Sequence, residues 1–181
     1  ILQTSNAGTA GVSGSLSLSS GTTSSGSSGS IWIGTGSATS GKGGDISITA
    51  GDGNTGSGGD ITLTAGKSVG GTGGSIQIRS GYGSSTSSGS VLVSTSNAGS
   101  DGVSGGLVLS TGIASSGSSG ALWLGSGSAT DGKGGDISIN VGSGNLAVGG
   151  DIIVGAGEST TATGGAIVMR SGYGSATSSG S

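Results

Sequence analysis

The chain has 181 residues, 47 of them Gly, with no Cys, His, Pro or Phe and a formal net charge of −3. That composition excludes collagen, which needs proline and a glycine at every third position, and leaves neither disulfides nor thiolate metal sites. No basic patch marks a nucleic-acid or anionic-membrane partner, and no stretch approaches the ~20 apolar residues of a membrane span.

Low charge and regularly placed Ile, Leu and Val separate the chain from disordered Gly/Ser tracts, which are poor in aliphatics. Along the chain the same phrase returns every 15 residues, closed by Gly14, Gly29, Gly44, Gly59, Gly74 and Gly89, then by Gly105, Gly120, Gly135, Gly150, Gly165 and Gly180. The interval ending at Gly105 holds 16 residues. A longer period lies above this one, since residues 1–90 align with 92–181 at a shift of 91. TSNAG recurs at 4 and 95, GKGGDISI at 41 and 132, and RSGYGS at 79 and 170. The chain therefore reads as two six-coil cassettes, 1–90 and 91–181, each with one coil carrying an extra residue. Ser181 matches Ser90 and there is no divergent cap, so an excerpt of a longer array is expected; with the pattern cut in mid-repeat, the absence of a signal peptide at Ile1 says little about the parent protein.

Within each coil, positions two and four are aliphatic. In the first cassette these include Ile46 and Ile48, Ile61 and Leu63, and Ile76 and Ile78. In the second they include Leu107 and Leu109, Ile137 and Ile139, and Ile167 and Met169. Alternation at period two places both on one face of a strand, and β-branched residues favour strands. A tight turn is expected next, at Gly36, Gly51, Gly66 or Gly81, where glycine takes positive φ freely. Small residues follow at Ala38, Gly53, Ser68 and Gly83, leading back to a glycine pair such as Gly58 and Gly59. Helix is disfavoured, because each Gly costs about 1 kcal/mol relative to Ala inside one.

These periods predict an all-β fold: a flattened, two-layer parallel β-solenoid of about 12 coils, a rod of about 58 Å at ~4.8 Å per coil. The aliphatic ladders form its core, facing a layer of Ser, Ala and Gly. Their burial falls short of the cost of ordering the backbone, so an isolated six-coil cassette is expected to be unfolded. A polyglycine-II bundle is the rival architecture, and the paired aliphatic columns argue against it.

Arrays of GG-[DS]-I-x-I-x-x-G with Ser-rich returns resemble stretches of large secreted repeat proteins of microbial and algal surfaces, diatoms among them. The resemblance implies an extracellular, fibrous or adhesive role and carries no catalytic residues.

Position three points away from the predicted core. It holds Trp32 and Trp123, together with Ile1, Leu92, Val108, Ile153 and Val168, beside polar Ser17, Ser47, Thr62 and Gln77. An apolar outward stripe suggests lateral packing, a sugar ring on tryptophan is another use, and scattered surface hydrophobes are the plain alternative. Asp45 and Asp60, like Asp136 and Asp151, share a column where a cation would relieve repulsion. Lys42 and Lys133, three residues before Asp45 and Asp136, are sufficient partners, so a solvated salt bridge is preferred to a metal. Arg79 with Tyr82, and Arg170 with Tyr173, could meet across a turn or decorate a solvent edge. GKGGD lacks the GKS/GKT ending and helix of a phosphate-binding loop.

Catalysis is not expected, because His and Cys are absent and most charges recur once per cassette instead of converging on one pocket. The functional expectation is an extracellular structural repeat protein forming a rod or filament, without cofactor. Its partners would be copies of itself, and surface polysaccharide or O-linked glycans, since no N-x-[ST] acceptor exists. Ice binding by a flat Ser/Thr face is the alternative, weakened by the mixed outer columns around Thr62 and Thr64.

Overall fold

A computed structural model describes residues 1–146, 148–175 and 178–180, and among these there is no helix and no strand. The all-β reading and the parallel β-solenoid are thereby corrected: the chain is an irregular coil fold. Ser181, matched above to Ser90, lies outside the described residues. The chain divides into two units, Ile1–Leu92 and Val93–Ser181.

The 15-residue period is nevertheless written into the backbone. In the first unit the chain bends at 9–11, 24–26, 39–41, 54–56, 69–71 and 84–86. In the second it bends or turns at 100–101, 115–117, 130–132, 145–146 and 160–162, with a further bend at 175. Between one closing glycine and the seventh residue after it, the chain runs as an arm without a bend. Each bend then sits inside a loop that ends at the next closing glycine.

Hydrogen bonding shows why these coils do not stack. A solenoid needs the closing residue to return to the start of its own coil, so that the next coil lies on the last. In five of the coils the closing glycine instead returns to position seven. Gly59 N–H donates to the Gly51 carbonyl at 3.0 Å, Gly74 to Gly66 at 2.9 Å and Gly89 to Gly81 at 3.0 Å. Gly165 and Gly180 repeat the bond to Gly157 and Gly172, each at 2.9 Å. The ring thus closes over eight residues instead of fifteen. Loop-closure entropy favours the shorter ring by about 0.6 kcal/mol. The next arm starts where the previous arm ended, and no hydrogen bond among the described residues spans more than ten positions.

At several ring bases the approach is close: a β-carbon at Gly59 would stand 3.2 Å from the Ala50 side chain, and one at Gly150 would stand 2.6 Å from Val141 Cγ1, whereas at Gly105 and Gly120 it would make only ordinary contact. In two further coils the position-six hydroxyl makes the closing bond: Thr35 Oγ1 donates to the Gly44 carbonyl at 2.9 Å and Thr4 Oγ1 to the Gly14 carbonyl at 3.1 Å.

The extra residue of each cassette lies within the ring. A β-carbon on the closing glycine generally meets the residue nine before it, as Gly120 meets Thr111, whereas Gly105 meets Thr95 and Gly14 meets Thr4, ten before. The arm keeps its length and the loop absorbs the insertion.

Position nine is occupied by small residues throughout, and in some coils its contacts shape the loop. Ser68 Oγ accepts from Gly71 N–H, and Ser159 Oγ from Ala162 N–H, both at 2.9 Å, so a hydroxyl holds the bend. Where position nine is Gly53, the loop tightens until a β-carbon would collide with the Gly56 and Ser57 carbonyl oxygens. Positive φ was expected at Gly36, Gly51, Gly66 and Gly81; it falls instead in the bends, at Gly11, Gly26, Gly41 and Gly117. The reversal of chain direction is made at the bend, so position seven serves as an acceptor, not as the corner.

Gly53→Ala should open its own loop and no other. Proton NMR temperature coefficients should move the Gly59 amide to the solvent-bonded range and leave Gly74 unchanged. An unaltered Gly59 amide in that variant would contradict this loop geometry.

Candidate functional site

The arms are the part of the coil with chemistry to offer, and that chemistry is apolar. Among the described residues no side chain is buried, hydrophobic or polar. The pairs expected to form a core stand in water: Ile46 is 52% and Ile48 70% exposed. Ile61, Leu63, Ile76 and Ile78 behave alike, as do Leu107, Leu109, Ile137, Ile139, Ile167 and Met169. These residues are no core within the chain, because coils that do not stack leave their aliphatic faces uncovered.

Exposure is still ordered along each arm. In arms with three apolar residues, position two is the least exposed, as with Ile31, Leu107, Leu122 and Ile152. Position three is generally the most prominent, with Trp32 at 93% and Trp123 at 90% exposed, and Leu92, Val108 and Ile153 similarly open. Val168 is the exception, less exposed than Met169 beside it. Ile1 is fully exposed at the first residue.

Charge is kept off the aliphatic face. Positions two, four and six carry no ionisable residue in any coil; the charges occupy position one, position five and the loops. Lys42 Nζ donates to Asp45 Oδ2 at 2.8 Å and Lys133 Nζ to Asp136 Oδ2 at 2.7 Å, with both partners of each pair more than three-quarters exposed. Such pairs contribute little, because water screens them. Among the described residues no group of three or more potential metal ligands gathers, around Asp60 or Asp151 or elsewhere. Arg79 and Tyr82 share no hydrogen bond, and neither do Arg170 and Tyr173. Both tyrosines are strongly exposed.

Among the described residues no pocket is formed, and no helix is long and apolar enough to cross a membrane. What the arrangement can offer is the same short apolar stretch, free of charge at positions two, four and six and exposed once in each arm. Comparison with family models, with curated proteins and with solved structures finds no match to the chain.

The ring base escaped the reading of the sequence, although its signal is there. Position six, nine residues before the closing glycine, is small in nearly every coil: Ser20, Thr35, Ala50, Ala65, Ser80, Thr111, Ser126, Ala156 and Ser171.

Replacing both Lys42 and Lys133 by Ala should leave the solution behaviour of the chain unchanged, and 1 M NaCl, at which the Debye length falls to about 3 Å, should do no more than the substitutions. A large loss of order from either treatment, followed by circular dichroism, would assign these pairs a role that their exposure denies.

Proposed function

We propose that the chain is an extracellular, non-catalytic structural repeat protein that works by associating with copies of itself, its aliphatic rows being covered between chains. One observation carries this reading: the chain exposes 17494 Å². A self-contained folded chain of its 16.3 kDa would expose about 7,500 Å², and a fully unfolded one about 23,600 Å². The surface left open, about 10,000 Å² beyond the folded value, greatly exceeds the ~800 Å² that one partner contributes to a standard interface. A single dimer contact does not close that gap, whereas an assembly with neighbours on several sides does.

Copies of the same chain suit the requirement, since a row spaced every 15 residues is matched best by an identical row. The absence of charge at positions two, four and six removes like-charge repulsion from such a contact. The extracellular assignment rests on the resemblance of the GG-[DS]-I-x-I phrases to secreted repeat proteins. The Ser/Thr-rich loops, exposed at 22–28 and 84–88, are where O-linked glycans or surface polysaccharide would be met. The function proposed is mechanical continuity along filaments or bundles, not a reaction.

Analytical ultracentrifugation across a concentration series tests this. The wild-type chain should pass from monomer to large assemblies, visible as thin filaments by negative stain. Ile137→Ser with Ile139→Ser should raise the concentration required at least about tenfold, since each buried isoleucine contributes ~1.5–3 kcal/mol. A wild-type chain that stays monomeric throughout the series would contradict the proposal.

A further inference from the structure

Two features of the loops exclude each other. The backbone clasp, from the closing-glycine N–H to the position-seven carbonyl, is made in the coils ending at Gly59, Gly74, Gly89, Gly165 and Gly180. A glycine of positive φ stands three residues before the closing glycine in four other coils, at Gly11, Gly26, Gly41 and Gly117, and none of these coils is clasped. Gly56 and Gly71 hold that same place in clasped coils and do not have positive φ. One glycine position thus serves both loop forms, so the choice between them is made elsewhere.

The choice follows position six. The three alanines there, Ala50, Ala65 and Ala156, all lie in clasped coils. The β-branched residues there, Thr4, Thr35, Thr95, Thr111 and Val141, all lie in unclasped ones. Serine accompanies either form: Ser80 and Ser171 the clasped, Ser20 and Ser126 the unclasped. The 91-residue repeat supplies a matched pair, since Ala50 of coil 45–59 corresponds to Val141 of coil 136–150. Gly59 is clasped to Gly51, whereas Gly150 makes no such bond to Gly142. Of the six corresponding coil pairs, this one alone changes its clasp between cassettes, and it alone exchanges alanine for a branched residue.

We propose that position six is the latch of each coil: an unbranched side chain lets the backbone clasp close, and a β-branched one holds it open. The contacts at the ring base show how. A β-carbon on Gly59 would lie 3.2 Å from Ala50 Cβ and 3.6 Å from both the nitrogen and the oxygen of Gly51, so position seven is within reach. On Gly150 it would lie 2.6 Å from Val141 Cγ1, with nothing else within 4 Å. The branch methyl fills the path of the closing glycine, and a β-branched side chain is stiff at χ1 and does not swing aside. Thr35 offsets the lost clasp with its hydroxyl, which donates to the Gly44 carbonyl; valine has none to offer. Each unit consequently carries one uninterrupted clasped stretch, 45–89 in the first and 151–180 in the second. The second is shorter by the coil that Val141 unlatches. Local opening is easiest where protecting bonds are fewest, so the latch residues set which coils open first.

Amide hydrogen exchange of the whole chain, isotope-labelled at glycine and measured in dilute solution, tests this independently of self-association. Val141→Ala should slow exchange at Gly150 by at least about fivefold, and Ala50→Val should speed it at Gly59 by a similar factor, as fits the gain or loss of one hydrogen bond. Val141→Thr keeps the branch and should leave Gly150 as fast as in the wild type. Gly165, whose own coil is untouched, should not change in any of the three. An unaltered Gly150 in Val141→Ala, an unaltered Gly59 in Ala50→Val, or a slowed Gly150 in Val141→Thr overturns the latch. A shift at Gly165 overturns it too, since coils would then not be latched one by one.

Discussion

The closing of each loop at its own base governs everything else in this chain. In five coils a glycine N–H reaches the carbonyl eight residues behind it, as Gly59 does to Gly51, and the coil is sealed before it can return to its beginning. At bases such as those of Gly44, Gly59 and Gly135 the position-six side chain leaves little space for a β-carbon on the closing residue. Sealed loops hand the chain on to the next arm without laying that arm on the previous one. The aliphatic face of every arm is left in water as a result.

A chain built this way solves its folding problem only in part. Local rings are inexpensive in entropy because they are short, and hydroxyls such as those of Ser68 and Ser159 hold their bends. Hydrophobic burial, the dominant favourable term for ordinary domains, is missing from the single chain. The repetition in the sequence acquires a physical meaning from this. Each arm offers the same uncharged apolar surface at the same interval, which makes every arm a match for every other arm on another chain.

Much of the local design was legible in the residues. The 15-residue interval, the aliphatic pairs and the small residues at position nine all correspond to features of the backbone, in bends at 54–56 and 69–71 and in the arms before them. The architecture built on that interval was not. A period shows that coils are equivalent and says nothing of where each one closes, and closure at residue 51 or at residue 45 yields the same repeat. The glycine at position seven was read as a corner because glycine permits positive φ, whereas its carbonyl is the acceptor of the ring and the corner lies in the bend. Alternation of Ile46, Ser47 and Ile48 was likewise read as evidence for a covered face. It establishes that a face exists, while what covers it depends on contacts that no single strand-like stretch specifies.

Denaturant titration at a series of protein concentrations tests most directly whether the apolar surface is buried between chains instead of within them. Cover supplied by other copies makes the transition midpoint rise with protein concentration, with no cooperative transition left in the dilute monomer. A sharp transition at one fixed midpoint, the same at every concentration down to the monomer, would mean that the chain buries a core of its own and would contradict the account.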